Sequence, residues 1–226
     1  MRQAGRIVEF KTGKGNGTGY FVSPDKARGG VLVLHAWWGL NDFFKSLCDR
    51  LASQGFLALA PDLQGGRVAK TVSEAKELMS KMDEDARRPI VLGALDYLRA
   101  QPSQSGRKIG VVGFSMGASW ALWLGTAKPE DVKAVVAFYG TYPGLAFSKA
   151  KASFLGHYAP EDEWEPTNDV KAMEQQIREA GREVTFHFYP GTKHWFVEED
   201  RPVEYNRDAA DLAWKRTLEF LNNKLL

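Results

Sequence analysis

Six short β-rich runs, VLVLHA (31–36), FLALAP (56–61), KIGVVGF (108–114), VKAVVAFYG (132–140), ASFLGHY (152–158) and EVTFHFYP (183–190), are separated by segments long enough to hold helices. No other feature restricts the chain as much, because such alternation is the pattern of a mainly parallel sheet covered on both faces by its crossover helices. Two earlier runs, RIVEF (6–10) and GYFVSP (19–24), flank KTGKGNGTG, whose glycines and asparagine suit an antiparallel hairpin. The expectation is an α/β fold with a central sheet of about eight strands and an antiparallel N-terminal hairpin.

The intervening segments 41–54, 72–101, 116–127, 167–181 and 204–224 read as amphipathic helices, the second with a break near Asp83 to Pro89. The last, EYNRDAADLAWKRTLEFLNNKLL, repeats apolar residues at three- and four-residue spacing, as a closing helix packed on the sheet would. Nothing repeats at solenoid periods and no low-complexity linker intervenes, so the 226 residues are expected to form a single domain, 1–226.

Charge narrows the partners. The formal net charge is +2, with acids and bases interspersed, which leaves no basic face for nucleic acid and no acidic tail. The amino terminus lacks the apolar core of a signal peptide, and no window approaches the roughly 18 apolar residues of a membrane span. A cytoplasmic protein, monomeric or a small homo-oligomer, with no membrane or nucleic-acid partner, is expected. Cys48 is the only cysteine, which excludes an intrachain disulfide and a zinc-binding thiolate cluster, and its place in FFKSLCDRLASQGF is that of a buried small hydrophobe. KTGKGNGTG leads into a strand rather than a helix, so it is no nucleotide loop; His35 has no second metal-type ligand nearby and is expected to support its loop by a hydrogen bond. No cofactor and no metal are expected.

The chemistry centres on GVVGFSMGAS (110–119), where Gly113-Phe114-Ser115-Met116-Gly117 matches G-x-S-x-G. The pattern is weak alone, but here it ends a β-run and opens a helical one, as a nucleophile elbow must. Ser115 then sits at a helix amino terminus, where free N–H groups can stabilise an oxyanion. A serine hydroxyl needs a general base and an orienting acid, placed later in the chain. Of the three histidines after Ser115, His187 alternates with apolar neighbours inside a strand and His157 ends one, where it supports a loop. His194, in the loop YPGTKHWF, is the candidate base. The loop APEDEWEP offers Glu161, Asp162 and Glu163 as the acid, and chemistry alone does not choose among them.

VLVLHAWWGLND, APDLQGGR, GFSMGA, FYG, HYAPEDEW and YPGTKHWF, in this order and spacing, resemble the dienelactone hydrolase family of α/β-hydrolases from about residue 6 to the terminal helix. The resemblance implies the α/β-hydrolase fold and hydrolysis of small carboxylic esters or lactones. It implies that the acid is Asp162, five residues after the histidine of His157-Tyr158-Ala159, and that the main-chain N–H groups of Trp37 and Met116 form the oxyanion hole.

Three departures accompany it. Ser115 stands where the best-known members have cysteine, and Ala36 where they have a glutamate that meets that cysteine. Losing both together is coherent with a serine cycle: His194 deprotonates Ser115, Asp162 stabilises the imidazolium, and water hydrolyses an acyl-enzyme. The third is Glu198, where an arginine would recognise a carboxylate; a negative side chain there would repel one, so dienelactone itself is not the expected substrate. Arg67 and Arg201 read as surface arginines. Trp37, Trp38, Tyr139, Trp164 and Trp195 follow the carboxyl ends of strands, implying an aromatic pocket in which Trp38, Tyr139, Trp164 and Trp195 meet substrate, while Trp120, Trp123 and Trp214 read as packing residues. Two alternatives use the same scaffold: acyl transfer or perhydrolysis at the triad, and noncatalytic ligand binding.

Overall fold

The computed structural model describes residues 5–81, 83–104 and 106–226. The chain divides into two compact units, residues 1–109 and 110–226.

The first unit opens with the expected hairpin. β1 (Arg6–Thr12) and β2 (Gly15–Val22) pair antiparallel with Thr12 opposite Gly15, so Gly13 and Lys14 alone make the turn. β2 pairs antiparallel with β4 (Phe56–Pro61), and β4 pairs parallel with β3 (Gly29–Leu34), giving the order β1-β2-β4-β3. Every residue of β3 and β4 is buried, as expected of apolar runs covered on both faces.

α1 (Asp42–Ser53) starts at Asn41, whose side chain accepts the Phe44 N–H, and buries Phe44, Leu47, Cys48 and Leu51. Burial pushes the Cys48 thiol far above its usual range, leaving it inert. α2 (Val72–Ser80) begins with a capping box between Thr71 and Glu74. α3 (Glu84–Arg99) begins at Asp83, whose side chain accepts the Ala86 N–H.

The break in the second helical segment therefore falls just before Asp83, while Pro89 lies inside α3. Proline removes the N–H that would have met the Asp85 carbonyl, and Lys14 Nζ donates to that oxygen instead at 3.3 Å. His35 supports its loop as expected: its Nδ1–H donates to the Ala36 carbonyl at 2.6 Å, and its Nε2 accepts the Leu63 N–H at 3.0 Å. This neutral tautomer agrees with burial lowering its pKa.

The second unit runs β5 (Ile109–Phe114), α4 (Met116–Ala127), β6 (Val132–Phe138), β7 (Ser153–Tyr158), α5 (Thr167–Glu179), β8 (Val184–Phe188) and α6 (Arg207–Leu225). The strands follow the order β5-β6-β7-β8, and β6, β7 and β8 are parallel. α4 packs on β6, α6 on β6 and β7, and α5 on β8. α4 is apolar on nearly every side, and Gly125 brings it so close to β6 that an added Cβ would lie 2.7 Å from Val135 Cγ2. Trp120 is buried; Trp123 and Trp214 are half-buried. Eight strands, the hairpin and the mostly parallel pairing agree with the expected fold. Among the described residues no helix is long and apolar enough to cross a membrane.

Candidate active site

Ser115 joins β5 to α4 with φ 51° and ψ −117°, a left-handed backbone that ordinary side chains rarely adopt. Its neighbours make the turn possible. A Cβ on Gly113 would lie 2.1 Å from the Gly117 carbonyl oxygen, and one on Gly140 would lie 2.6 Å from the Ser115 carbonyl oxygen. The Ser115 N–H donates to the Phe138 carbonyl at 2.9 Å, pinning the elbow to the end of β6.

The Ser115 side chain does not cap α4, which leaves its hydroxyl free for another partner. The first intrahelical bonds run from the Ala118 and Ser119 N–H groups to the Ser115 carbonyl, so the Met116 N–H belongs to the first turn, whose amides have no carbonyl of their own helix to meet. The Met116 N–H thus lies directly after the serine, at the positive end of the helix.

His194 lies in the loop after β8, shaped by Gly191 at φ 73° and by Thr192, whose hydroxyl donates to the Tyr189 carbonyl at 2.6 Å. The Ser115 hydroxyl donates to His194 Nε2 at 2.9 Å, and His194 Nδ1–H donates to Asp162 Oδ2 at 2.7 Å. Asp162 lies in the loop after β7. Its other oxygen, Oδ1, accepts the Trp164 N–H at 2.8 Å and the Glu165 N–H at 3.1 Å, folding the short side chain back over its own loop. The Asp162 side chain is 1 % exposed, whereas Glu161 and Glu163 are exposed. The three residues singled out in the sequence meet in one continuous hydrogen-bonded relay.

Aromatic rings enclose the imidazole. Tyr139 and Trp195 have ring centroids 4.8 and 4.9 Å from it, and Trp164 lies at 6.4 Å. Beside it opens a cleft of about 290 Å³ lined by Glu161, Glu163, Trp164, Lys193, His194, Trp195 and Glu204. Trp164 and Trp195 both line this cleft.

Tyr139 is fully buried and is not among the residues lining this cleft, and its hydroxyl donates to Glu198 Oε1 at 2.8 Å. Glu198 is also fully buried and absent from the lining, so it is no surface charge facing a substrate. Burial pushes its carboxyl up to about 8. The anionic lining anticipated at Glu198 is supplied instead by Glu161, Glu163 and Glu204.

Trp37 and Trp38 belong to the first unit. The Trp37 carbonyl accepts from Gln64 Nε2 at 3.1 Å, the Trp38 carbonyl accepts the Ala69 N–H at 2.8 Å, and the Trp38 ring is buried against Trp37. Arg67 is exposed, and its Nε donates to the Gln64 carbonyl at 3.3 Å. Arg201 faces Asp200 at 3.6 Å.

Two features escaped the sequence: the Tyr139–Glu198 pair, and Glu165, which accepts the Thr141 hydroxyl at 2.7 Å and is pushed up to about 7 by burial, with the nearby Asp162 charge adding to the shift. Neither has a local pattern that marks it, because each pairs residues far apart in the chain.

The dienelactone hydrolase family profile matches residues 18–225. A protein of Aquifex pyrophilus, "Protein usf", is 31 % identical over 98 % of this chain and 99 % of its own length. Among solved structures, a dienelactone hydrolase-like promiscuous phosphotriesterase from metagenomic libraries superposes with a TM-score of 0.89 at 24 % identity, covering 100 % of both chains. The dienelactone hydrolase of Anabaena variabilis does so with a TM-score of 0.74 at 23 % identity, over 99 % of this chain and 100 % of its own. At these identities the structural likeness establishes the fold.

Proposed function

The chain belongs to the dienelactone hydrolase family, a family of hydrolases, and on that premise we propose that it cleaves small carboxylic esters or lactones with Ser115 as nucleophile. His194 Nε2 takes the Ser115 proton as Oγ attacks the substrate carbonyl, forming the C–O bond of a tetrahedral intermediate. The Met116 N–H, at the start of α4, donates to the oxyanion. Asp162 holds the imidazole in the tautomer that leaves Nε2 free to accept, then stabilises the imidazolium. His194 returns the proton to the departing alkoxide, which leaves as the alcohol. Water, deprotonated by the same imidazole, attacks the acyl-enzyme, and the acid departs as Ser115 regains its proton.

One observation carries this reading: the unbroken relay of 2.9 and 2.7 Å from hydroxyl through imidazole to a buried carboxylate. The lining of the cleft bears on the substrate. Three glutamates against one lysine disfavour an anionic acyl group, and the tryptophan faces suit an apolar one, so neutral esters and lactones fit best.

Hydrolysis of p-nitrophenyl esters of increasing acyl length tests the proposal. The wild-type protein should release p-nitrophenol with a burst under pre-steady-state conditions, favour short acyl chains, and lose turnover in Ser115→Ala. Undiminished activity in that variant would remove the mechanism.

A further inference from the structure

We propose that Glu198, acting through Tyr139, is a positioning residue that holds the His194 imidazole in register with Ser115. The inference rests on the serine-hydrolase reading above and assigns a task to two residues that the relay does not contain.

Tyr139 is tied down at three points. Its main chain follows Phe138, whose carbonyl receives the Ser115 N–H, and its own N–H donates to the His157 carbonyl at 2.9 Å. Its ring lies 4.8 Å from the imidazole, at 54°. Its hydroxyl donates to Glu198 Oε1 at 2.8 Å. The backbone there is left-handed, φ 39°, a conformation that a tyrosine keeps only when its surroundings enforce it.

Glu198 sits on the turn that carries the base. The Glu198 N–H donates to the Trp195 carbonyl and the Glu198 carbonyl accepts the Arg201 N–H, both at 2.9 Å. Tyr139 therefore links the turn of the nucleophile to the turn of the base, and Glu198 is the latch that fixes its ring. Without the latch the ring could tilt, and the imidazole resting on it would lose alignment; a displacement of ~1 Å can cost on the order of 10²-fold in rate.

A buried carboxyl is an expensive latch. Glu198 Oε2 has no hydrogen-bond partner among the described residues. The groups facing Glu198 are Tyr139, Asp200, Arg201 and Glu204; with a pKa of about 8 it is largely neutral at pH 7. Ionisation as pH rises through about 8 places a negative charge one ring away from the imidazole, favouring the imidazolium formed during attack.

The test compares Glu198→Gln, Glu198→Leu, Tyr139→Phe and the Tyr139→Phe/Glu198→Leu double variant. kcat and KM are measured with a p-nitrophenyl ester from about pH 6 to about pH 10, alongside thermal unfolding. Glu198→Leu should lower kcat by about 10- to 100-fold with KM little changed. Tyr139→Phe should match it, and the double variant should be no worse than either single one.

Glu198→Gln keeps an acceptor for the Tyr139 hydroxyl, so it should restore most of kcat while removing the ionisation near pH 8 from the rate profile. The proposal is overturned if Glu198→Leu folds with wild-type kcat, if folded Glu198→Gln is as slow as Glu198→Leu, or if the inflection survives in Glu198→Gln. If Ser115→Ala is inactive while the Glu198 variants match wild type, the latch fails and the hydrolase reading stands. If Ser115→Ala retains activity, the hydrolase reading itself fails.

Discussion

His157 and His194 are both buried in the second unit, and each has both ring nitrogens in hydrogen bonds, yet their surroundings differ. His157 Nδ1 meets the Tyr189 hydroxyl at 2.7 Å and its Nε2 the Thr217 hydroxyl at 3.0 Å, so a neutral ring fastens the end of β7 to α6 and to the residue after β8. Burial lowers its pKa well below the usual range. His194 meets a carboxylate on one side and a serine on the other, and it forms part of a cleft wall. Burial is common to both. What separates them is a charged acceptor to stabilise the protonated ring, and an opening through which a substrate can arrive.

Exchanging the partners breaks the comparison most forcefully at His194 itself. His194→Ala should lower kcat for ester hydrolysis by ~10⁵- to 10⁶-fold, read from steady-state rates. Asp162→Asn should leave the relay in place but favour the wrong tautomer, at a cost of about 10⁴-fold in kcat. His157→Gln should do the reverse of either: kcat stays near wild type, while urea denaturation reports a loss of about 1–3 kcal/mol as Tyr189 and Thr217 lose their partner.

The pH dependence sharpens the contrast further. Because the folded pKa of His157 is depressed, the unfolded chain binds a proton below about pH 6.5 that the folded chain refuses. Its contribution is fully present above that pH and is lost as pH falls, by up to about 1.4 kcal/mol per pH unit. His157→Gln should flatten the acid limb of the stability curve measured by urea melts. A slope remains, because His35 and His187 are lowered as well.

The smallest effect concerns the cleft rim. Glu161→Gln, Glu163→Gln and Glu204→Gln together should raise kcat/KM for an anionic ester less than about tenfold and weaken its salt dependence, since two of these charges are exposed to water, the third is half-buried, and such charges are strongly screened. Equal salt dependence in both forms would show that the rim does not sense substrate charge.

Much of this site could be read from residue order. The G-x-S-x-G turn between an apolar run and a helical one located Ser115, and the proline and glycine before His194 marked a loop rather than a strand. The carboxylate that meets His194 was harder to read, because Glu161, Asp162 and Glu163 are chemically alike in sequence. The structure distinguishes them by length: aspartate is short enough to accept the N–H groups two and three residues on, which turns it inward, while its glutamate neighbours extend outward.

Glu198 was illegible for the opposite reason. The resemblance put it where a substrate carboxylate would be met, and its burial against Tyr139, distant in the chain, has no local signal. The expected helix break at Asp83 to Pro89 illustrates the same limit. A capping aspartate is a local signal and marks the start of α3, but the lysine that satisfies the carbonyl exposed by Pro89 comes from the hairpin.

The left-handed turn at Ser115 is a property of the backbone and its glycine neighbours, so it would present whatever atom replaced the hydroxyl oxygen at the same point. The chain's sole thiol, Cys48, is sealed inside the first unit and is held unreactive. Ser115→Cys would thus create a single addressable handle, and a maleimide or disulfide reagent offered to the folded protein would mark the elbow alone.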